Sequence, residues 1–149
     1  LYRLIQETVE SLRPQKLFRQ IQLHFPEPQT FPEVWADGGK VRQVMMNLLL
    51  NAVQALNGEG AIWLVINREP KQLIVEIHDN GPGISVADQS RAFEPFFTTK
   101  SGGEGTGLGL SICRKLVEEH GGEIHAGTSP HGGALLTFSL PIRKRDQTV

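Results

Sequence analysis

The chain has 149 residues, 39% apolar and 21% charged, a formal net charge of −1 and one cysteine, Cys113. This is the length of one domain, able to bury a core without metal or disulfide help. A lone cysteine excludes an internal disulfide framework and fits a reducing compartment. Scattered Lys and Arg argue against a duplex nucleic acid partner. No apolar run approaches the roughly 18 residues of a membrane span, and nothing at the start resembles a signal peptide. The opening LYRLIQETVESL has no Met before it, which suggests a piece of a longer protein.

Leu1, Leu4, Ile5, Val9 and Leu12 recur at helical spacing, and Pro14 ends that helix. IQLHF, residues 21–25, alternates as a short strand with His24 on the polar side. Pro26, Pro28 and Pro32 keep the next segment extended, and Asp37 is placed to cap a helix from Val41 to Leu56. NGEG is turn chemistry; AIWLVINRE and KQLIVEIHD read as strands joined around Pro70. From Asn80 to Thr106 the chain is loop-rich, with one short candidate helix, Val86 to Ala92. Loops of that length in a compact domain are functional lids or disordered. Leu108 to His120 reads as a helix halted by Gly121 and Gly122, and EIHAGTS and ALLTFSLPI as strands joined by a PHGG turn. Cys113, in that helix, reads as an inert core residue. Hairpins without strict strand–helix alternation predict an α+β fold, a mixed sheet with helices on one face. The domain is expected over residues 1–142, with a polar tail over 143–149 that contains the Arg143 to Arg145 cluster.

Four stretches carry candidate chemistry. In VRQVMMNLLLNAVQAL, Asn47 and Asn51 lie four apart, one above the other on a helix that is otherwise apolar. Asn is a poor helix former, and an unpartnered buried amide costs about 1 to 3 kcal/mol, so either a solvated stripe or a ligand must account for the pair. In IHDNGPGI, Asp79 ends an apolar strand before Gly81 and Gly83. Asp-Asn-Gly is good turn chemistry, but glycines also let backbone approach a flat ligand, with Asp79 accepting from an exocyclic amine and Ile84 forming an apolar wall. FEPFFTTK, residues 93–100, holds three phenylalanines within five positions and ends on Lys100. Phe93 reads as core, the cluster as a lid anchor and Lys100 by default as solvated. GGEGTGLGLSI leads glycines 102, 103, 105, 107 and 109 into a helix, whose N–H groups and dipole make a phosphate cradle. It is neither a P-loop nor a dinucleotide fingerprint.

NLLLNA, DNGPGI, FEPFFTTK and GTGLGLSI, in this order, resemble the four nucleotide-binding boxes of the catalytic domain of sensor histidine kinases. That domain belongs to the superfamily of gyrase, the heat-shock ATPase and MutL. FFTTK beside NLLLNAVQA resembles the nitrogen-regulation branch. The resemblance implies a two-layer α/β sandwich, the Bergerat fold, with ATP between the Asn helix and a lid from about Val86 to Gly105. It implies that Asn51 coordinates Mg²⁺, that Asn47 supports metal or phosphates, and that Asp79 takes the adenine amino group. Gly81, Gly83 and Ile84 would shape that pocket, and Thr98, Lys100, Gly105, Thr106, Gly107, Leu108 and Gly109 would complete the ATP site, the glycines cradling the triphosphate. Many relatives have Lys where this chain has Gln54 and Arg where it has Thr98; Lys100 is expected to supply the missing charge.

The superfamily's ATPases place a glutamate at the position of Asn47 to activate water, and a carboxamide cannot take a proton at neutral pH. Slow hydrolysis is therefore expected, with the γ-phosphoryl going to a histidine. None of His24, His78, His120, His125 and His131 sits in the H-E-[IL]-[RK]-x-P-L context of that acceptor. The five read as ordinary surface or strand histidines. The resemblance thus implies a cytoplasmic two-component kinase domain whose partners are an upstream dimerisation and phosphoacceptor domain and a response regulator, in a homodimeric parent. It implies neither nucleic acid binding nor membrane contact by this domain. A superfamily ATPase and a regulatory nucleotide-binding module without transfer activity are the alternatives.

Overall fold

The computed structural model describes residues 1–97 and 109–143. The first helix, α1 (Tyr2–Leu12), buries Ile5, Thr8, Val9 and Leu12 on one stripe, and the Thr8 hydroxyl donates to the Leu4 carbonyl at 2.8 Å. A buried hydroxyl is thereby satisfied inside its own helix. Tyr2 holds the proline-rich segment: its hydroxyl donates to the Pro26 carbonyl at 2.8 Å, and its ring meets Phe25 at 5.0 Å. Strand β1 (Ile21–His24) follows, one residue shorter than the pattern predicts.

Helix α2 (Gly38–Leu56) starts three residues earlier than predicted, because the Asp37 carboxylate accepts from the Lys40 N–H at 3.2 Å and fixes the first turn. It ends at Asn57, which takes the left-handed conformation at φ 53°, followed by Gly58 at φ 96°. Strands β2 (Gly60–Arg68) and β3 (Gln72–Asp79) form a hairpin closed by the Glu69 N–H on the Gln72 carbonyl at 2.9 Å. Helix α3 is only Val86–Gln89, and the chain beyond it to Phe96 makes turns rather than more helix. Helix α4 (Gly109–Glu119), β4 (Ile124–Thr128) and β5 (Ala134–Pro141) complete the chain.

The sheet order is β1-β2-β3-β5-β4, with β1 parallel to β2 and every other pair antiparallel. Helices α1, α2 and α4 make one layer. Met45, Leu48 and Leu49 of α2 meet Ile62, Val75, Ile77 and Phe138 of the sheet in a continuous apolar core. Alternation along the strands delivers this core, since Ile62, Leu64 and Ile66 share a face while Trp63 and Val65 point the other way. The α+β sandwich predicted from the sequence is the observed fold. Arg143, expected to open a polar tail, is tied down: its N–H donates to the Glu33 carbonyl at 2.9 Å and its guanidinium lies 4.8 Å over the Trp35 ring. No helix among the described residues is long and apolar enough to cross a membrane.

Helices α2 and α4 run antiparallel and are pinned at one end. The Asp37 N–H donates to His120 Nε2 at 3.0 Å, and His120 Nδ1 bonds the Leu116 carbonyl at 2.7 Å. The carbonyl requires the ring hydrogen on Nδ1, leaving Nε2 to accept. Lys40 and Glu119 approach to 3.7 Å beside this pin. Further along, Cys113 is fully buried with its thiol on the Val44 carbonyl at 3.8 Å and hydrogen-bonded by the Asn47 side chain. Burial pushes the thiol up to about 11, an effect only partly offset by the bond from Asn47. An unfolded thiol loses its proton near pH 9 while the folded one keeps it, so the folded state binds more protons between pH 9 and 11 and stability falls as pH rises through that window. The loss amounts to about 2 to 3 kcal/mol. Denaturant titrations of the wild type and Cys113→Ala should therefore show the wild-type advantage at pH 8 shrinking by about 2 kcal/mol at pH 11; an unchanged difference would contradict the burial argument.

Candidate functional site

The site forms where α2 ends, β3 ends and α4 begins. Asn47, Asn51 and Ala55 follow at four-residue spacing along one face of α2, all half-buried, beside the buried Leu48, Ala52 and Leu56. Partial exposure removes most of the cost that two amides would incur inside a core. The stripe meets the loop after β3 at its last member: a Cβ on Gly81 would stand 3.3 Å from the Ala55 carbonyl oxygen and 3.4 Å from the Leu56 side chain. Residue 81 therefore lies flat on α2, one turn beyond Asn51.

Asp79 is the charged group at the centre, with 3% of its surface exposed. Its Oδ1 accepts from the Gly81 N–H at 2.9 Å and from the Ala134 N–H at 3.1 Å. Two backbone donors, one two residues and the other 55 residues beyond Asp79, thus hold one carboxylate oxygen, the arrangement a buried charge requires. Space for it exists because residue 133 is glycine: any Cβ there would overlap Asp79 Oδ1 and the Asp79 carbonyl. Gly83, at φ 79°, packs on the same glycine, where a Cβ would sit 3.5 Å from the Gly133 carbonyl carbon. Asn80 fastens the loop from the other side, its Oδ1 accepting from the Ala61 N–H at 2.9 Å. Ile84 is half-buried against the core, and its carbonyl accepts from the Gln89 side chain at 3.0 Å.

Gly109 is the first residue of α4, and a Cβ there would meet no atom of the described residues within 4 Å. Cys113 touches Val44 and Asn47 of α2 and His120 reaches Asp37, so the antiparallel course of the helices brings the start of α4 toward the Asn51 end of the stripe. The N–H groups and positive dipole end of α4 thereby share one side of the domain with the two carboxamides.

Asp79, Gly81 and Gly83 come together at the end of β3 against the last turn of α2, with Asn51 and Asn47 one and two turns back along the stripe, Ile84 packed on the core and Gly109 opening α4. Thr98, Lys100, Gly105, Thr106, Gly107 and Leu108 lie outside the described residues. So does the later part of the expected lid, residues 98–105, whereas its earlier part, 86–97, is described and opens with α3. The Gln89 side chain ties that part to the Thr128 hydroxyl at 3.0 Å. The phenylalanine cluster divides: Phe93 is buried, whereas Phe96 is 76% exposed at φ 66° and the Arg91 guanidinium covers Phe97 at 4.8 Å. Gly133 and the Ala134 N–H were not apparent from the sequence, where the Gly132-Gly133 pair reads as an ordinary hairpin turn.

The chain is similar to known proteins in sequence and in fold. Residues 36–144 match the family described as histidine kinase-, DNA gyrase B-, and HSP90-like ATPase. The chain is 36% identical over 139 residues to the sensor histidine kinase ZraS of Escherichia coli strain K12, covering 93% of this chain and 30% of that protein. The catalytic domain of histidine kinase ThkA superposes with a TM-score of 0.84 at 34% identity, over 95% of this chain and 92% of that one. ThkA in complex with the response regulator protein TrrA gives 0.81 at 31% identity, over 97% of this chain and 42% of that one. The chain thus spans less than a third of the length of ZraS. With its carboxylate, carboxamides and helix terminus brought together in that fold, the chain belongs to the histidine kinase-, DNA gyrase B- and HSP90-like ATPase family, among the catalytic domains of histidine kinases.

Proposed function

We propose that this domain binds Mg·ATP and donates the γ-phosphoryl to a histidine on a separate dimerisation and phosphoacceptor domain, from which it passes to a response regulator. The observation that carries the reading is the Asp79 carboxylate, held by the Gly81 and Ala134 N–H groups one turn past the Asn47–Asn51 stripe. Both recorded bonds use Oδ1, and a carboxylate accepts at both oxygens, so Oδ2 serves as acceptor for the 6-amino group of adenine. The flat backbone at Gly81 and Gly83 and the side chain of Ile84 shape the space around the base.

Toward the phosphates this chain offers neutral oxygens and backbone N–H groups. Mg²⁺, when bound, supplies charge neutralisation for the triphosphate, and half-buried carboxamide oxygens suit a hard cation that keeps several of its waters. Asn51 is the proposed ligand and Asn47 its support, with the glycines from Gly105 to Gly109 and the start of α4 receiving phosphate oxygens, and Thr98, Thr106 and Leu108 completing the site. Lys100 is assigned the cationic role for which Gln54 and Thr98 offer no charge. Catalysis is then positioning and electrostatics, with no side chain at residue 47 able to take a proton from water. ThkA, whose catalytic domain shares this fold, is named in complex with a response regulator, which supports the same class of partner here. The reading puts the domain in the cytoplasm, within a homodimeric parent.

Three measurements test this reading. With labelled ATP and the acceptor domain added in trans, label should appear on the acceptor histidine and fall about 10- to 100-fold with Asn51→Ala; firm ATP binding with no labelled histidine in the wild type would identify a regulatory nucleotide module instead. Asn47→Glu should raise phosphate release to water in the absence of acceptor, and a variant with no gain would sink the argument from the carboxamide. Lys100→Ala should weaken both ATP affinity and phosphotransfer by about 5- to 10-fold, the scale of one lost charge-assisted bond. If neither changes, the cation lies elsewhere.

A further inference from the structure

On the sheet face turned away from the helices, the register sets His24 beside Trp63 and Trp63 beside His78. The turn between β4 and β5 folds over this row. His131, at the tip of the turn, lays its imidazole on the Trp63 indole with centroids 3.7 Å apart and planes 4° from parallel, and stands edge-on to His78 at 5.7 Å. His24 stacks with the same indole at 5.3 Å. Covered in this way, His78 is only 7% exposed although no described helix packs on that face.

The polar atoms beneath the turn form a chain with one consistent set of directions. His78 Nε2 lies 3.3 Å from Glu76 Oε2, which as a carboxylate only accepts, so Nε2 carries the hydrogen. Nδ1 is then the acceptor and takes the Ser129 hydroxyl at 2.9 Å. That hydroxyl oxygen in turn accepts the His131 N–H at 3.1 Å. Ser129 is also closed on the turn through its backbone, N–H to the Gly133 carbonyl at 2.8 Å and carbonyl from the Gly132 N–H at 3.0 Å. The far end of the turn is Gly133 against Asp79, with the Ala134 N–H on Asp79 Oδ1.

We propose that Ser129, His78, His131 and Trp63 are positioning residues that fix the β4–β5 turn and, through Gly133 and Ala134, orient the Asp79 carboxylate, so that a cluster on the open sheet face sets the preference for a purine bearing a 6-amino group. The inference rests on the reading of Asp79 as acceptor for that amine. It assigns these four residues no contact with nucleotide. Their effect reaches the base only through the angle at which Asp79 is held.

The test compares affinity for ATP with affinity for purine riboside triphosphate, which carries hydrogen in place of the amine, measured on the whole chain by calorimetry. Ser129→Ala should reduce the preference for ATP about five-fold, as expected for a lost hydrogen bond. The loss should fall on ATP while the 6-hydrogen analogue binds as before, and Ser129→Thr should restore the preference. His131→Ala, at an exposed position, should shift the preference in the same direction by about two-fold, and it decides the matter if Ser129→Ala does not fold. Equal weakening of both nucleotides would show a merely structural role and overturn the proposal. Asp79→Asn separates the two levels. If it keeps the preference, the reading of Asp79 fails and the inference with it; if it removes the preference while Ser129→Ala and His131→Ala leave it intact, the inference alone fails.

Discussion

A carboxylate buried at the end of a central strand is the constraint around which this domain is built. A carboxylate buried there needs hydrogen-bond donors. They come from the next residue but one and from a turn 55 positions downstream, so the loop after β3 and the β4–β5 hairpin must both close on one oxygen. Closure leaves no room for a side chain at 133 and brings Gly83 against the same backbone. Gly60 belongs to this arrangement too, for a Cβ there would press on Leu56 and on the Asn80 amide that bonds the start of β2.

The α2 stripe solves a different problem. A helix that buries Met45, Leu48, Leu49 and Ala52 has little capacity for amides, yet Asn47 and Asn51 sit one position off the buried line and reach half-exposed space. Asn47 also touches the thiol of Cys113, so this carboxamide is braced by the neighbouring helix. In the proposed function these neutral oxygens would serve a hard cation without making the site strongly acidic.

Much of this was legible in the residues themselves. Helical spacing in α1 and α2, alternation in β2 and β3, the Asp37 cap and the glycine stop after α4 are local signals, and each marks an element that forms. The amide stripe was visible because four-residue spacing implies one face. Contacts fixed by register were not visible. Nothing in PHGG distinguishes a hairpin turn on solvent from one laid over Trp63 and against Asp79, since that depends on β5 pairing with β3. For the same reason His78 reads as one polar residue in an alternating strand, and only the fold shows it covered. The bond between His120 and Asp37 spans 83 positions and left no trace in the pattern. In FEPFF, Phe93 reads as core and is buried, whereas the positive φ at Phe96, whose ring is exposed, left no trace in the pattern.

The pin between Asp37 and His120 has a mechanical consequence. Helix α4 is about 16 Å long from that end to Gly109, at 1.5 Å per residue. A rod fixed at one end magnifies angular error at the other: a tilt of about 5° displaces the tip by about 1.4 Å, on the scale at which misplacement costs about 10²-fold in a positioned reaction. The tolerance on that tilt is set by the side chains packed midway along the rod, Cys113 and Val117, each almost fully buried. A methylene added or removed there changes a lever angle as well as a core volume, so the apolar contact between two helices acts as the alignment bearing for a tip more than a turn away.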